Sequence, residues 1–382
     1  MSDTVARNRP SIVQEASGAC GDLGTFIPHV IGAMTVAGLA PAGVLFGFAA
    51  FLVSTGLFYG LPLPVQPMKA VSAVILTSGM RPGEVAAAGM IIGVVLLVLG
   101  TTGWISRLAR AIPQSVSAGL QLGLGLLMGV LGVRLMLQQP GIGFGALTAL
   151  IGLGRFPRYP AAPIVLAAAA IVGWADHGAN LAAISFAPSL PRLVIPTWNE
   201  AWRSIGIAVL PQLSLTLTNA IIVTASLSRE LFPETGSIAS ERNLSISSGL
   251  ANVLLCPFGA MPMCHGAGGL QAQYRFGGRT GLTPIIFGSV LLILAVGFAG
   301  HAAALFAIIP MAAVGALLVM AGRDLAISRR LFDGKPSCLW VIGVTALATL
   351  TVDPAIGLVL GWISEFVRAA IVRRLHMRHE TP

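Results

Sequence analysis

Two short segments hold the residues best suited to chemistry. Residues 62–68 read Pro-Leu-Pro-Val-Gln-Pro-Met and lead into Lys69, and residues 257–263 read Pro-Phe-Gly-Ala-Met-Pro-Met and lead into Cys264, His265 and Gly266. A proline ends one helix and is tolerated at the first position of the next, so each segment reads as a helix, an extended stretch and a new helix start. A helix start offers N–H groups without intrahelical partners and about half a positive charge. Two such starts facing each other, with Lys69 in the first turn of one, compensate about two negative charges, the charge of a tetrahedral dianion. Lysine opposes the dipole at a helix start, so its position calls for an anion or a carboxylate beside it. Gln66 and Met68 flank the first start, and Gln66 both donates and accepts hydrogen bonds. At the second start His265 can donate. Gly266, Gly268 and Gly269 either let an anion reach the backbone or let helices pack closely.

Polar stripes interrupt the opening helix of each half. Asp22, Thr25 and His29 fall at i, i+3 and i+7, and Gln212, Thr216 and Asn219 at i, i+4 and i+7, each on one helical face. Polar groups at membrane depth face the protein interior, a cavity or a ligand, so both stripes are expected to line the site. Asp22 is the candidate proton-coupling group, taking up a proton when an anion binds near Lys69. The alternative is a buried Lys69–Asp22 pair that only braces the core. Met261, Met263, Cys264 and His265 also read as soft metal ligands, but consecutive residues at a helix start diverge in direction, so neither metal nor cofactor is expected. Cys20, Cys256, Cys264 and Cys338 have no paired spacing. No serine–histidine, paired-aspartate or HExxH pattern suggests an enzyme.

The elements that position these residues are membrane helices. Of 382 residues, 55% are hydrophobic and 10% charged, against roughly 25% charged in a soluble chain. The apolar runs are continuous, which in lipid means helices. Fourteen segments are expected near 19–40, 42–60, 67–79, 83–103, 115–137, 141–154, 161–175, 205–228, 242–256, 265–274, 281–299, 301–321, 337–351 and 354–372. The run at 19–40 is too long for a signal-peptide core and is read as a retained span. With the N-terminus inside, eighteen of the 23 basic residues fall on the cytoplasmic side. Only Arg81, Arg134, Arg192 and Arg203 fall outside, and Lys69 stays in the membrane. That asymmetry predicts a bacterial-type inner-membrane protein with both termini cytoplasmic. The net charge of +9 is thereby topology in a lipid bilayer, with no nucleic-acid partner.

The longest polar interruption, from Asp176 to Arg203, is rich in proline and divides the chain. The layout is a cytoplasmic segment 1–18, a first repeat 19–175 with a half-helix at 67–79, and an extracytoplasmic linker 176–204. A second repeat follows at 205–372 with a half-helix at 263–275, then a cytoplasmic tail 373–382. An odd number of segments per half makes the repeats inverted, and matched broken segments mark a transporter's central site. The stripe Gly119, Gly123, Gly125 and Gly129 admits a close helix neighbour, a homodimer surface or a sliding face.

GDLGTFIP at 21–28, PVQPMKA at 64–70 and FGAMPMCHGAGGLQAQYRFGGRTG at 258–281 resemble the signatures of the molybdate transporter family, related to the sulfate permeases. The resemblance spans most of the chain. It implies an all-α polytopic membrane fold, a seven-plus-seven inverted repeat whose half-helices meet near mid-membrane, and a core domain that moves against a gate domain. It implies molybdate or sulfate as substrate; unlike many sulfate permeases, the sequence shows only a basic tail after the last span, so no C-terminal regulatory domain is expected. The leading function is therefore a secondary active importer of a tetrahedral oxyanion with a proton as coupling ion. A nucleobase or carboxylate carrier of the same fold, an intramembrane metal-handling protein and a passive channel are the alternatives. Two broken helices suit alternating access better than a pore.

Overall fold

The computed structural model describes residues 10–35, 37–105, 107, 113–156, 161–177, 186–301, 308–327 and 336–379. Backbone in lipid must satisfy its own hydrogen bonds, and the apolar runs do so as helices. The first half holds α1 (Ile12–Cys20), α2 (Leu23–Thr35), α3 (Pro41–Tyr59), α4 (Lys69–Ser78), α5 (Pro82–Thr102), α6 (Gln114–Met136), α7 (Pro140–Gly154) and α8 (Ala161–His177). The second holds α9 (Trp198–Leu231), α10 (Glu241–Leu255), α11 (Ala267–Arg275), α12 (Leu282–Phe298), α13 (Met311–Ala326), α14 (Leu339–Thr351) and α15 (Pro354–His379). Proline opens α3, α5, α7 and α15, where its missing N–H costs nothing. Gly60 and Gly79 close α3 and α4 at φ of 63° and 61°, in the left-handed region that glycine enters freely. Five described stretches are long and apolar enough to cross a bilayer: Pro41–Tyr59, Pro82–Thr102, Gln114–Met136, Trp198–Leu231 and Leu282–His301. The chain is a multi-pass membrane protein.

Some elements depart from expectation. The run 19–40 is not one helix but α1 and α2, joined by a turn at Gly21 and Asp22. Tight packing against α11 explains the turn, because a side chain at Gly21 would lie 2.8 Å from the Ala272 carbonyl oxygen. Asp22 thereby opens α2, its carbonyl accepting the N–H groups of Thr25 and Phe26 at 3.0 Å. The linker ends earlier than 204, since Thr197 caps α9 through the Glu200 N–H at 3.3 Å. Inside α9 the backbone widens to π-helix at Ile205–Val209 and Thr216–Val223. The segment placed at 301–321 starts later, as α13, and residues 302–307 lie outside the described residues.

The broken segments are not purely helical either. Gln66–Pro67 (β1) and Met263–Cys264 (β2) form an antiparallel two-stranded ladder, with Gln66 opposite Cys264 and Pro67 opposite Met263. Extended backbone at this depth needs partners, and it finds them within the protein. The Met68 N–H donates to the Pro262 carbonyl at 2.9 Å. The Asn252 amide donates to the Met263 carbonyl at 2.6 Å and accepts the Met263 N–H at 2.8 Å. Consequently α4 starts at Lys69 and α11 at Ala267, on either side of one ladder.

Small residues let the surrounding helices close around this centre. Gly125 and Gly132 of α6 lie against the carbonyls of Gly322 and Gly315 of α13, and Gly119 and Gly123 against Thr345 and Thr349 of α14. Of the stripe, Gly119, Gly123 and Gly125 thus pack against helices of the same chain, whereas a side chain at Gly129 would meet nothing within 4 Å among the described residues.

Candidate functional site

A cavity of about 300 Å³ opens between the starts of α4 and α11. Gln66, Lys69, Gln212, Cys264, His265 and Gly266 all line it. Gln121 of α6 and Asp324 of α13 join them, and neither was expected from the sequence.

The two helix starts differ. At α4 the orphan donors are taken: Oε1 of Gln212 accepts the N–H groups of Ala70 at 2.8 Å and Val71 at 3.2 Å. Nε2 of Gln212 donates to the Thr216 hydroxyl at 2.8 Å, which fixes the amide's orientation. Gln212 is thus a helix cap supplied from the other half of the chain, an interaction of about 1 kcal/mol where the cap is local. At α11 the N-cap is Gly266, which has no side chain to give. The first-turn N–H groups of Ala267, Gly268 and Gly269 have no intrahelical partner, and Ala267 and Gly268 face the cavity.

Two further donors are uncommitted. Lys69 is half-buried and makes no hydrogen bond or ion pair among the described residues, and its charge acts on Asp22, Cys264 and Asp324. Gln121 is 2% exposed, and its Nε2 has no partner among the described residues. Asp324, also on the cavity wall, is exposed and lies 3.6 Å from Arg323.

Asp22 sits one layer behind. Nε2 of Gln66 donates to its Oδ1 in a short hydrogen bond, while Oδ2 is without a partner among the described residues. A side chain at Gly269 would lie 2.6 Å from Nε2 of Gln66 and 2.7 Å from Oδ1 of Asp22, so only glycine fits against this pair. The bracing Lys69–Asp22 ion pair does not occur among the described residues; the carboxylate is held by Gln66 instead.

His265 lines the cavity but spends both ring nitrogens on the protein. Nδ1 lies 3.0 Å from the Pro64 carbonyl, which only accepts, so Nδ1 carries the proton. Nε2 then accepts from the Ser247 hydroxyl at 3.0 Å, and Ser247 in turn is 2.8 Å from the Tyr59 hydroxyl. His265 positions the second break and has no free N–H to offer a ligand. Met68 is fully buried in the hydrophobic core, and Thr25 and Thr216 also lie off the cavity wall. His29 pairs with Ser72 at 2.7 Å. Asn219 belongs to α9, but its side chain lies outside the described residues.

Lipid-spanning helices around a central cavity at two broken segments define a membrane transporter, and solved structures place the fold. The transmembrane domain of the cyanobacterial bicarbonate transporter BicA superposes with a TM-score of 0.68 at 15% identity, over 94% of this chain and 98% of that one. Murine Slc26a9, an anion transporter in its inward-facing state, superposes with a TM-score of 0.70 at 13% identity, over 97% and 69%. The family follows from sequence. The family model described as "Molybdate transporter of MFS superfamily" matches residues 14–128 and 205–325. Molybdate transporter 2 of Arabidopsis thaliana is 31% identical over 92% of this chain and 86% of its own length. The chain belongs to the molybdate transporter family.

Proposed function

We propose that the protein imports molybdate by alternating access, driven by protons taken up at Asp22. Its two halves act as inverted seven-segment repeats that supply a core domain and a gate domain. The observation that carries this reading is the gathering of uncommitted donors on one cavity: Lys69, Nε2 of Gln121 and the first N–H groups of α11. One ammonium and the positive ends of α4 and α11 sum to about two charges, which suits a tetrahedral dianion.

Molybdate takes precedence through the Arabidopsis relative's name. Sulfate is the second substrate, because it has the same shape and charge and every donor here can serve it. The coupling role of Asp22 is supported by its position behind Gln66, 1% exposed, with Oδ2 without a partner among the described residues. The basic-residue asymmetry supports cytoplasmic termini.

The test is radiolabelled molybdate uptake into proteoliposomes with and without an inward proton gradient, for the wild-type protein and Asp22→Asn. Asparagine keeps an acceptor for Gln66 but cannot carry the proton. Gradient-driven accumulation should vanish in Asp22→Asn while exchange of internal for external molybdate persists. Undiminished gradient dependence in the variant would remove Asp22 from the coupling role.

A further inference from the structure

One group on the cavity wall has the wrong charge for an anion site. Asp324 lines the same cavity as Lys69, and its carboxylate repels any dianion bound there. It stands in the last turn of α13, at the end that the charge asymmetry assigns to the cytoplasm, whereas Lys69 opens α4. The side chain of Asp324 is 71% exposed although it lines the cavity, so water reaches the cavity at this end. The two residues also stand on different parts of the fold. α13 packs on α6 through Gly125, Gly132, Gly315 and Gly322, and Lys69 follows the ladder that joins the two broken segments.

Neither charge is firmly held where it is. Lys69 makes no hydrogen bond or ion pair among the described residues. Asp324 meets its chain neighbour Arg323 at 3.6 Å, with both side chains more than half exposed, and such a pair contributes about 1 kcal/mol or less. Across the cavity Asp324 feels the charge of Lys69 as well. The lysine stem is long and flexible and ends in a point charge, which suits a change of partner. The charge balance of the site calls for one. With molybdate bound and Asp22 protonated, Lys69 and the two helix starts offset the dianion. Once molybdate and the proton have left, the Asp22 carboxylate offsets only one of those about two positive charges. Enclosing the remainder in a low-dielectric site costs several kcal/mol, and a carrier has to enclose its empty site to reset. A carboxylate from α13 brings the balance back near zero.

We infer that Asp324 is a tethered counter-ion for Lys69, which takes the ammonium over as molybdate leaves toward the cytoplasm and holds it while the empty carrier resets. In the loaded carrier molybdate holds Lys69, and Asp324 stays with Arg323. No covalent bond forms or breaks, and Asp324 neither gains nor loses a proton. Asp324 therefore acts on transport through Lys69, as a positioning residue. This inference rests on the oxyanion-carrier reading above.

The test measures radiolabelled molybdate in proteoliposomes in two modes. Net uptake includes an empty return in every turnover, whereas exchange against molybdate inside moves the carrier only when loaded. Asp324→Asn should lower net uptake about tenfold or more while exchange at saturating molybdate stays within about twofold of wild type. Asp324→Glu keeps the charge and should keep net uptake. Asp324→Asn should also lower the KM of exchange about three- to tenfold, because the competitor for Lys69 is gone. In the Lys69→Gln background the same substitution should change KM by less than about twofold. Net uptake and exchange falling together, or neither falling, in Asp324→Asn would overturn the inference. Equal tightening in the Lys69→Gln background would overturn it too, since plain repulsion by the carboxylate gives that result. A wild-type protein that takes up and exchanges no molybdate would instead overturn the oxyanion-carrier reading itself, so the two failures are distinguishable.

Discussion

Oε1 of Gln212 accepts the main-chain N–H of Ala70 at 2.8 Å, so a residue of the second half closes the helix start that carries Lys69 in the first. With Val71 bonded to the same oxygen at 3.2 Å, α4 offers its dipole and its lysine to the cavity but few of its amides. The opposite start, at α11, has no side-chain cap among the described residues, because its N-cap is Gly266. An anion between them meets a charge on one side and open N–H groups on the other.

Gln212 can be tested in both of its properties. Gln212→Ala should destabilise the protein by about 1 kcal/mol through the lost cap, read as a lower thermal midpoint in detergent. Gln212→Glu keeps an acceptor for Ala70 and Val71 but adds a negative charge on the cavity wall. Its thermal midpoint should stay near wild type while the KM for molybdate rises about tenfold or more, a loss of about 1.4 kcal/mol of binding.

Lys69→Gln removes the one cationic side chain that lines the cavity among the described residues. A hydrogen bond to a charged partner contributes about 1.5–3 kcal/mol, so KM should rise about ten- to a hundredfold. Initial-rate uptake over a range of molybdate concentrations reads this directly, and an unchanged KM would exclude Lys69 from anion binding.

Adjacent glycines on α11 should respond differently. A side chain at Gly268 meets nothing within 4 Å, and the residue faces the cavity, so Gly268→Val should fold normally yet raise KM by filling the space beside the α11 amides. Gly269→Ala would press on Gln66, Asp22 and Pro64, with distances of 2.6–2.8 Å. It should lower the thermal midpoint and expression, the signature of a packing defect. Thermal midpoints and uptake measured on both variants separate the two effects.

Gln121→Leu is close to isosteric and removes an amide whose Nε2 is buried and without a partner among the described residues. Stability should hold or improve, because an unsatisfied buried donor disappears. Molybdate affinity should fall about three- to tenfold, the contribution of one hydrogen bond. Isothermal titration on purified protein checks both the affinity and the remaining stoichiometry.

Much of the architecture was legible in the sequence because apolar length and proline position control it. Lipid forces continuous apolar runs into helices, and the expected segments at 42–60, 83–103 and 115–137 match α3, α5 and α6 to a residue at each end. Pro67 and Pro262 marked the breaks, though not the ladder that joins them, since strand pairing is a long-range choice that two-residue stretches do not announce. The turn at Gly21 and Asp22 was hidden in an apolar run, because its cause is the approach of α11 from far along the chain. Gln66, Lys69, Gln212 and His265 were singled out as polar groups at membrane depth, and all four reach the cavity wall. Their individual roles were not legible: Gln212 caps α4 and His265 is bonded at both nitrogens, facts of tertiary geometry. Gln121 was passed over within a glycine-rich helix that reads as a packing face, although a lone amide in such a span is the same intramembrane signal that marked Gln66. Asp324 carries no such signal, because it stands beside Arg323 at the charged end of α13.

The central claim is that this cavity binds a tetrahedral oxyanion, and competition against radiolabelled molybdate uptake in proteoliposomes tests it most directly. Tungstate and sulfate should inhibit the wild-type protein, with molybdate itself the strongest competitor, and Lys69→Gln should weaken all three together. Inhibition by uracil alone, with no effect of the oxyanions, would contradict the account.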